Sequence, residues 1–260
     1  MITAVTNSRI KRIVQLNQKT KVRKEEDCFV VEGTKMFLEA PDAKIREVFV
    51  TQEYHAKCDT QVLAKLQRCS CELVSGEVFA KISDTQTPQG ILCVVEQLHY
   101  TIEDILQKES PLVVLLEDLQ DPGNLGTIIR TGEGAGIGGV LMSKDTVDIY
   151  NPKTIRATMG SIYRVPFLYV EELSGIIQQL QKKQIQVYAA HLEGDNYYNS
   201  YNYKQGTAFL IGNEGNGLKK ETADLADAYL KIPMEGQVES LNAGVATALL
   251  LYEARRQRMQ

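Results

Sequence analysis

Short apolar runs set two different rhythms along the chain. In the first hundred residues, Phe29-Val30-Val31, Val48-Phe49-Val50 and the run 91–95 read as strands, alternating with amphipathic stretches at 34–40 and 61–66. The mixture predicts a small α/β unit. Its last strand follows Thr85-Gln86-Thr87-Pro88-Gln89-Gly90, which reads as a loop because proline and glycine interrupt any regular element. From 96 to 110 the pattern turns polar, as a connector does. Beyond it, Pro111-Leu112-Val113-Val114-Leu115-Leu116 is apolar without alternation, the pattern of a strand covered on both faces of a parallel sheet. Runs at 139–142, 185–190, 208–211 and 229–232 repeat it at helix-length intervals, the order of a second α/β domain. The reading places a first domain at 1–97, a linker at 98–110 and a second domain at 111–260.

Composition supports a packed core, with 43% hydrophobic and 24% charged residues. No run nears the ~18 apolar residues of a membrane span, and the first residues lack the apolar centre of a signal peptide, so no membrane partner and a cytoplasmic location are expected. The cysteines at 28, 58, 69, 71 and 93 are odd in number and lack CxxC spacing, which predicts neither a metal site nor a disulfide framework. A net charge of −4 argues against nucleic-acid binding by overall attraction. The distribution changes that picture. Arg9, Lys11, Arg12, Lys19, Lys21, Arg23 and Lys24 fall in the first 24 residues with no acidic residue among them. Such an arm can neutralise phosphates, although a solvated helix face has the same composition.

Candidate chemistry gathers where three of the buried strands end. The first junction, Glu117-Asp118-Leu119-Gln120-Asp121-Pro122-Gly123-Asn124, leads into a helix carrying Arg130, so Asn124 and Arg130 are expected at one cleft. The second, Gly212-Asn213-Glu214-Gly215-Asn216-Gly217, has three glycines in six residues, which allows a ligand close to the backbone. The third runs from Ile232-Pro233-Met234 to Ser240-Leu241-Asn242 before a helix from 243 to about 258, where Ser240 or Asn242 is placed to cap. Gly134-Ala135-Gly136-Ile137-Gly138-Gly139 satisfies GxGxxG but closes a helix and leads into a strand, the reverse of a dinucleotide loop. The second junction lacks the GK[ST] ending of a phosphate loop. His55, His99 and His191 add little; His191, after the strand ending Ala189-Ala190, reads as a solvent-facing loop residue, with a place in the wall of a cofactor pocket as the alternative.

Together, Asn124 with Arg130, the Gly212-Asn213-Glu214-Gly215 loop, and Ile232-Pro233-Met234 with Ser240-Leu241-Asn242 resemble, in order, the three motifs of the SpoU or TrmH-type RNA 2′-O-ribose methyltransferases. The segment 151–160 is similar to a further family stretch, with Thr158 where serine is common, and the first hundred residues resemble the ribosomal-protein-like substrate-binding domain of many members. The resemblance implies a SPOUT-type α/β domain threaded as a trefoil knot, S-adenosylmethionine as cofactor, RNA as substrate and a homodimer. Leu241, Val245, Ala248, Leu249 and Tyr252 offer an apolar stripe for that dimer.

By the same resemblance, Leu210, Gly212, Asn213, Gly215, Ile232, Met234, Ser240 and Leu241 hold the cofactor, and Arg130, Asn124, Glu214, Ser240 and Asn242 form the catalytic set. Arg9, Lys11, Arg12, Lys21, Arg23, Arg130 and Arg156 are the expected RNA contacts. Arg130 is either a general base assisted by RNA phosphate or, since a guanidinium normally stays protonated, a stabiliser of the developing alkoxide. The substrate expected is 23S ribosomal RNA. Transfer RNA is the alternative, as is an RNA-binding assembly factor that has lost catalysis.

Overall fold

The basic arm is helical. In a computed structural model, which describes residues 1–194 and 196–260, Asn7 caps helix α1 (Ser8–Gln18) by accepting from the Arg9 amide, and Ile10, Ile13 and Leu16 form its buried face. Helix α2 (Thr20–Glu26) ends at Asp27 in the left-handed region. Then follow β1 (Cys28–Glu32), α3 (Thr34–Glu39), β2 (Ile45–Thr51), α4 (Gln52–Lys57), α5 (Thr60–Leu66), β3 (Cys71–Val74), α6 (Gly76–Ile82) and β4 (Ile91–Glu96). The sheet order is β1-β4-β2-β3, with β4 antiparallel to β1 and β2, and β2 parallel to β3. Ile10, Ile13, Phe49, Val78, Phe79 and Leu92 pack in one core under α1 and α6.

Arg23 corrects an expectation drawn from the charge run. It is 2% exposed, and its Nε and Nη2 donate to Asp148 Oδ2 at 2.9 and 2.7 Å. Further bonds reach the Leu16 and Asn17 carbonyls and the Thr20 hydroxyl. No surface is left for a phosphate, because helix packing turned this cation inward, which charge spacing does not reveal. Removing one partner of a buried pair typically costs ~3–5 kcal/mol. Arg23→Ala is therefore expected to lower the melting temperature sharply while leaving RNA affinity of the folded fraction unchanged; a loss of RNA affinity at unchanged stability would contradict the assignment.

After α7 (Ile102–Ile105), strand β5 (Leu112–Leu116) enters a second sheet, followed by α8 (Pro122–Ala135) and β6 (Gly139–Ser143). Helix α8 is capped by Asp121, which accepts from the Asn124 amide, opens on Pro122, and ends at Gly136 with φ 78°. The GxGxxG stretch is thus a helix end. Helix α9 (Pro152–Thr158) lies in the segment 148–163, which packs with residues 1–98 as one compact unit. The second unit comprises 99–147 and 164–260.

Strand β7 (Phe167–Val170), α10 (Leu173–Lys182), β8 (Gln186–Ala190), β9 (Asn196–Tyr197), β10 (Thr207–Ile211), α11 (Lys220–Ala223), β11 (Ala228–Lys231) and α12 (Ala243–Arg258) complete the second unit. Its sheet is parallel, ordered β7-β6-β5-β10-β8-β11-β9. Central β5 and β10 are buried at every residue, as their unbroken apolar runs require. One face carries α10, with Ile177 and Leu180 against Leu115, Leu141, Val187 and Leu210. The end of α12 is tied down by Arg258, which donates to the carbonyls of Ser110, Pro111, Tyr203 and Gln205. Because the strands run parallel, the loops after β5, β10 and β11 leave from the same edge, where sites form in such sheets. Among the described residues, no helix is long and apolar enough to cross a membrane.

Candidate active site

Three loops separated by up to 118 residues are joined there by one chain of side-chain hydrogen bonds. The Glu214 carboxylate accepts from the backbone amides of Gln120 and Asp121, both at 3.0 Å, and from Asn124 Nδ2 at 2.8 Å. Asn124 Oδ1 accepts from Asn242 Nδ2 at 2.8 Å. Asn242 Oδ1 in turn accepts from the amides of Gly244 and Val245, capping α12. The cap expected of Ser240 or Asn242 is thus made by Asn242, and the same side chain bonds across to Asn124. The direction of the chain follows from chemistry: a carboxylate only accepts, so Asn124 must turn its NH2 toward Glu214 and its oxygen toward Asn242. Burial opposes the charged form of Glu214, but the amide donors outweigh it and hold the carboxyl below the usual carboxylate range.

The glycine-rich loop is closed on itself. Asn213 and Gly217 exchange backbone bonds at 3.0 and 2.9 Å, and Asn213 Oδ1 accepts from the Gly215 and Asn216 amides. A Cβ on Gly212 would lie 2.3 Å from the Gly217 carbonyl carbon, so only glycine permits this closure. Between this loop, the third loop and the end of β8 opens a cavity of about 540 Å³, within the range of small-molecule and cofactor sites. Its wall includes Gly212, Asn213, Gly215, Ile232, Met234, Ser240 and Leu241, as the sequence expects, together with Glu214 and Asn242.

Other predicted residues stand elsewhere. The Leu210 side chain is fully buried in β10 among core side chains, and the next residue, Ile211, lines the cavity, which leaves only the backbone near Leu210 for the cofactor. Asn124 is 8% exposed behind Glu214 and orients the loops without reaching the cavity wall. Arg130 is exposed on α8 and, like Asn124, is not in that wall. Six positions along a helix turn the two side chains to different faces. Of the two readings of His191, the structure favours the pocket, since it lines the cavity with Ala190, Leu192 and Glu193; Ala246, which the sequence did not single out, lines it too. The pairing of β8 with β11 continues at His191, whose amide donates to the Leu230 carbonyl and brings it beside the start of the third junction.

In the first unit, Arg9 bonds to Glu47 and Glu72, and Arg12 to Glu26 and Glu47. These guanidiniums are already neutralised, which weakens their expected role at phosphates. Lys11 and Lys21 project into solvent, while Arg156 pairs with Asp84 at 2.5 Å. Among the described residues no three histidine, cysteine or carboxylate side chains are grouped to hold a metal.

Against known proteins, residues 111–252 match the model of the SpoU rRNA Methylase family. The chain belongs to that family. Residues 7–93 of this SpoU member match the MRM3-like substrate binding domain. It is 31% identical to the 23S rRNA (guanosine(2553)-2′-O)-methyltransferase RlmP of Bacillus subtilis, over 98% of each chain. Two crystal structures share the SpoU fold over almost the whole length. AviRb of Streptomyces viridochromogenes in complex with AdoMet has TM-score 0.89 and 26% identity, covering 98% of this chain and 99% of that one. The AdoMet-bound rRNA methyltransferase of Sinorhizobium meliloti has TM-score 0.85 and 35% identity, covering 98% and 97%.

Proposed function

We propose that this SpoU methylase transfers a methyl group from S-adenosylmethionine to a ribose 2′-hydroxyl of 23S ribosomal RNA. The observation that carries the reading is the bonded chain Asn242–Asn124–Glu214, which unites three loops beside a cavity of cofactor size. The residues present suit the cofactor. Gly212 leaves out the Cβ that would block the loop, and the backbone around Gly212, Gly215, Ile232, Met234 and Leu241 lines a wall of mixed apolar and polar character. Bound there, S-adenosylmethionine supplies a methyl carbon activated by its sulfonium.

The chain's own residues do the rest. Glu214, Asn124 and Asn242 fix the loops so that substrate and donor meet in a prepared geometry. Arg130, a guanidinium on the surface, stabilises the developing alkoxide and the adjacent phosphate. Lys11 and Lys21 contribute phosphate contacts from the first unit. Two copies pair through α12, whose Val245, Leu249 and Tyr252 are 49, 38 and 51% exposed, a strip of large apolar side chains along one face. Arg130 lies on α8, which packs directly against α12, so pairing completes the site with residues of the second copy. The C-terminal trefoil threading and a cytoplasmic setting belong to the same reading.

The substrate-binding domain favours ribosomal over transfer RNA. Mapping 2′-O-methyl groups in both RNAs from cells with and without the protein tests this directly. Loss of one 23S methyl, restored by purified protein and S-adenosylmethionine, is expected; loss confined to tRNA would move the substrate, and no loss anywhere would leave the assembly-factor reading standing.

A further inference from the structure

We propose that Glu117 is a positioning residue for the cofactor loop, acting as a clamp that holds residues 212–218 by both ends. This rests on reading the cavity beside that loop as the S-adenosylmethionine site. Glu117 follows β5 directly and is 4% exposed. Its own amide donates to the Ile211 carbonyl at 2.9 Å, where the loop begins. Its carboxylate reaches the other end, with Oε2 accepting from the Lys219 amide at 2.8 Å and Oε1 from the Thr222 hydroxyl at 2.6 Å.

One residue thus closes a span whose residues line the cavity. Its neighbour strengthens the grip, since the Asp118 carbonyl accepts from Asn213 Nδ2 at 2.8 Å and its carboxylate pairs with Lys219 Nζ at 2.6 Å. A buried carboxylate is a poor device for stability alone, because an apolar side chain of similar size usually serves as well. What the carboxylate adds is direction: two acceptor oxygens that fix the loop's exit in one place before any ligand arrives. Such preorganisation lowers the cost of binding.

The test titrates S-adenosylmethionine into the full-length protein by calorimetry and follows amide hydrogen exchange of the ligand-free protein. Glu117→Ala is expected to weaken S-adenosylmethionine binding by about ten- to hundredfold, the effect of losing a hydrogen bond to a charged group. It should also speed exchange across 213–218 while α10 keeps its protection. Glu117→Gln retains an oxygen for the Lys219 amide and can donate to the Thr222 oxygen, so it should restore most of the affinity. Should Glu117→Ala fail to fold, Thr222→Val removes a single donor and is expected to weaken binding in the same direction. Ala246→Phe, which fills the cavity, separates the two readings. If it abolishes binding while Glu117→Ala, or Thr222→Val where the former does not fold, binds and exchanges like wild type, the clamp is overturned and the site stands. If Ala246→Phe binds normally, the site reading falls and the clamp with it.

Discussion

Arg130→Ala is expected to slow single-turnover 2′-O-methylation by about 10²–10³-fold, the effect of removing one preorganised donor from a developing oxyanion, with S-adenosylmethionine affinity and melting temperature unchanged. The side chain is exposed and outside the cavity wall. Its loss therefore uncovers no buried partner and empties no packed volume, the two routes by which a substitution unfolds a protein. A defect seen in the methyl-transfer step alone can only come from what the guanidinium does to substrate. Arg130→Lys keeps the charge but not the planar fork, and should recover part of the rate. Quenched-flow measurement with saturating RNA and S-adenosylmethionine gives the comparison, and a wild-type rate in Arg130→Ala would remove this residue from the mechanism. A charged residue at Leu249 or Tyr252, in the exposed strip of α12, should produce monomers with the same catalytic defect if pairing completes the site.

Much of this architecture could be read from residues alone, for identifiable reasons. Unbroken apolar runs such as 112–116 and 208–211 mark strands covered on both faces, and both are buried throughout. The loops after them were legible because glycine, proline and asparagine have narrow backbone roles. Edge strand β7 escaped notice: it spans four residues with only Phe167 buried, too short and too half-exposed to carry a pattern. Placement of charge was the hardest to read. Seven cations in 24 residues look alike in sequence, yet Arg23 is enclosed with Asp148 while Lys21 stands in solvent. Likewise nothing in the first junction singled out Glu117, because the amide and hydroxyl it serves lie about a hundred positions away. The motif residues Asn124, Glu214 and Asn242 could be named, but not the order in which they bond.

That order makes an unusual ranking testable. Asn124 uses both ends of its amide, giving a hydrogen bond to Glu214 and taking one from Asn242. Asn124→Asp keeps the shape but sets a second acceptor-only group against the Glu214 carboxylate, so it should damage methylation more than Asn124→Ala does. Glu214→Ala is expected to lose about 10–100-fold, because three donors are left without their shared acceptor. The doubly substituted protein should be little worse than Glu214→Ala alone, a coupling of about 0.5–3 kcal/mol that marks contact within one network. Acid supplies an independent lever. The folded protein holds the Glu214 carboxyl below its ordinary value of 4.5, so its contribution to stability is complete above that pH and is lost as pH falls through the depressed value. Glu214→Gln removes the titration. The difference in melting temperature between wild type and Glu214→Gln should therefore be constant at neutral pH and shrink only below the ordinary carboxylate range. A difference that stayed constant into strong acid, with Asn124→Asp as active as Asn124→Ala, would mean that the three loops are not held together through this carboxylate.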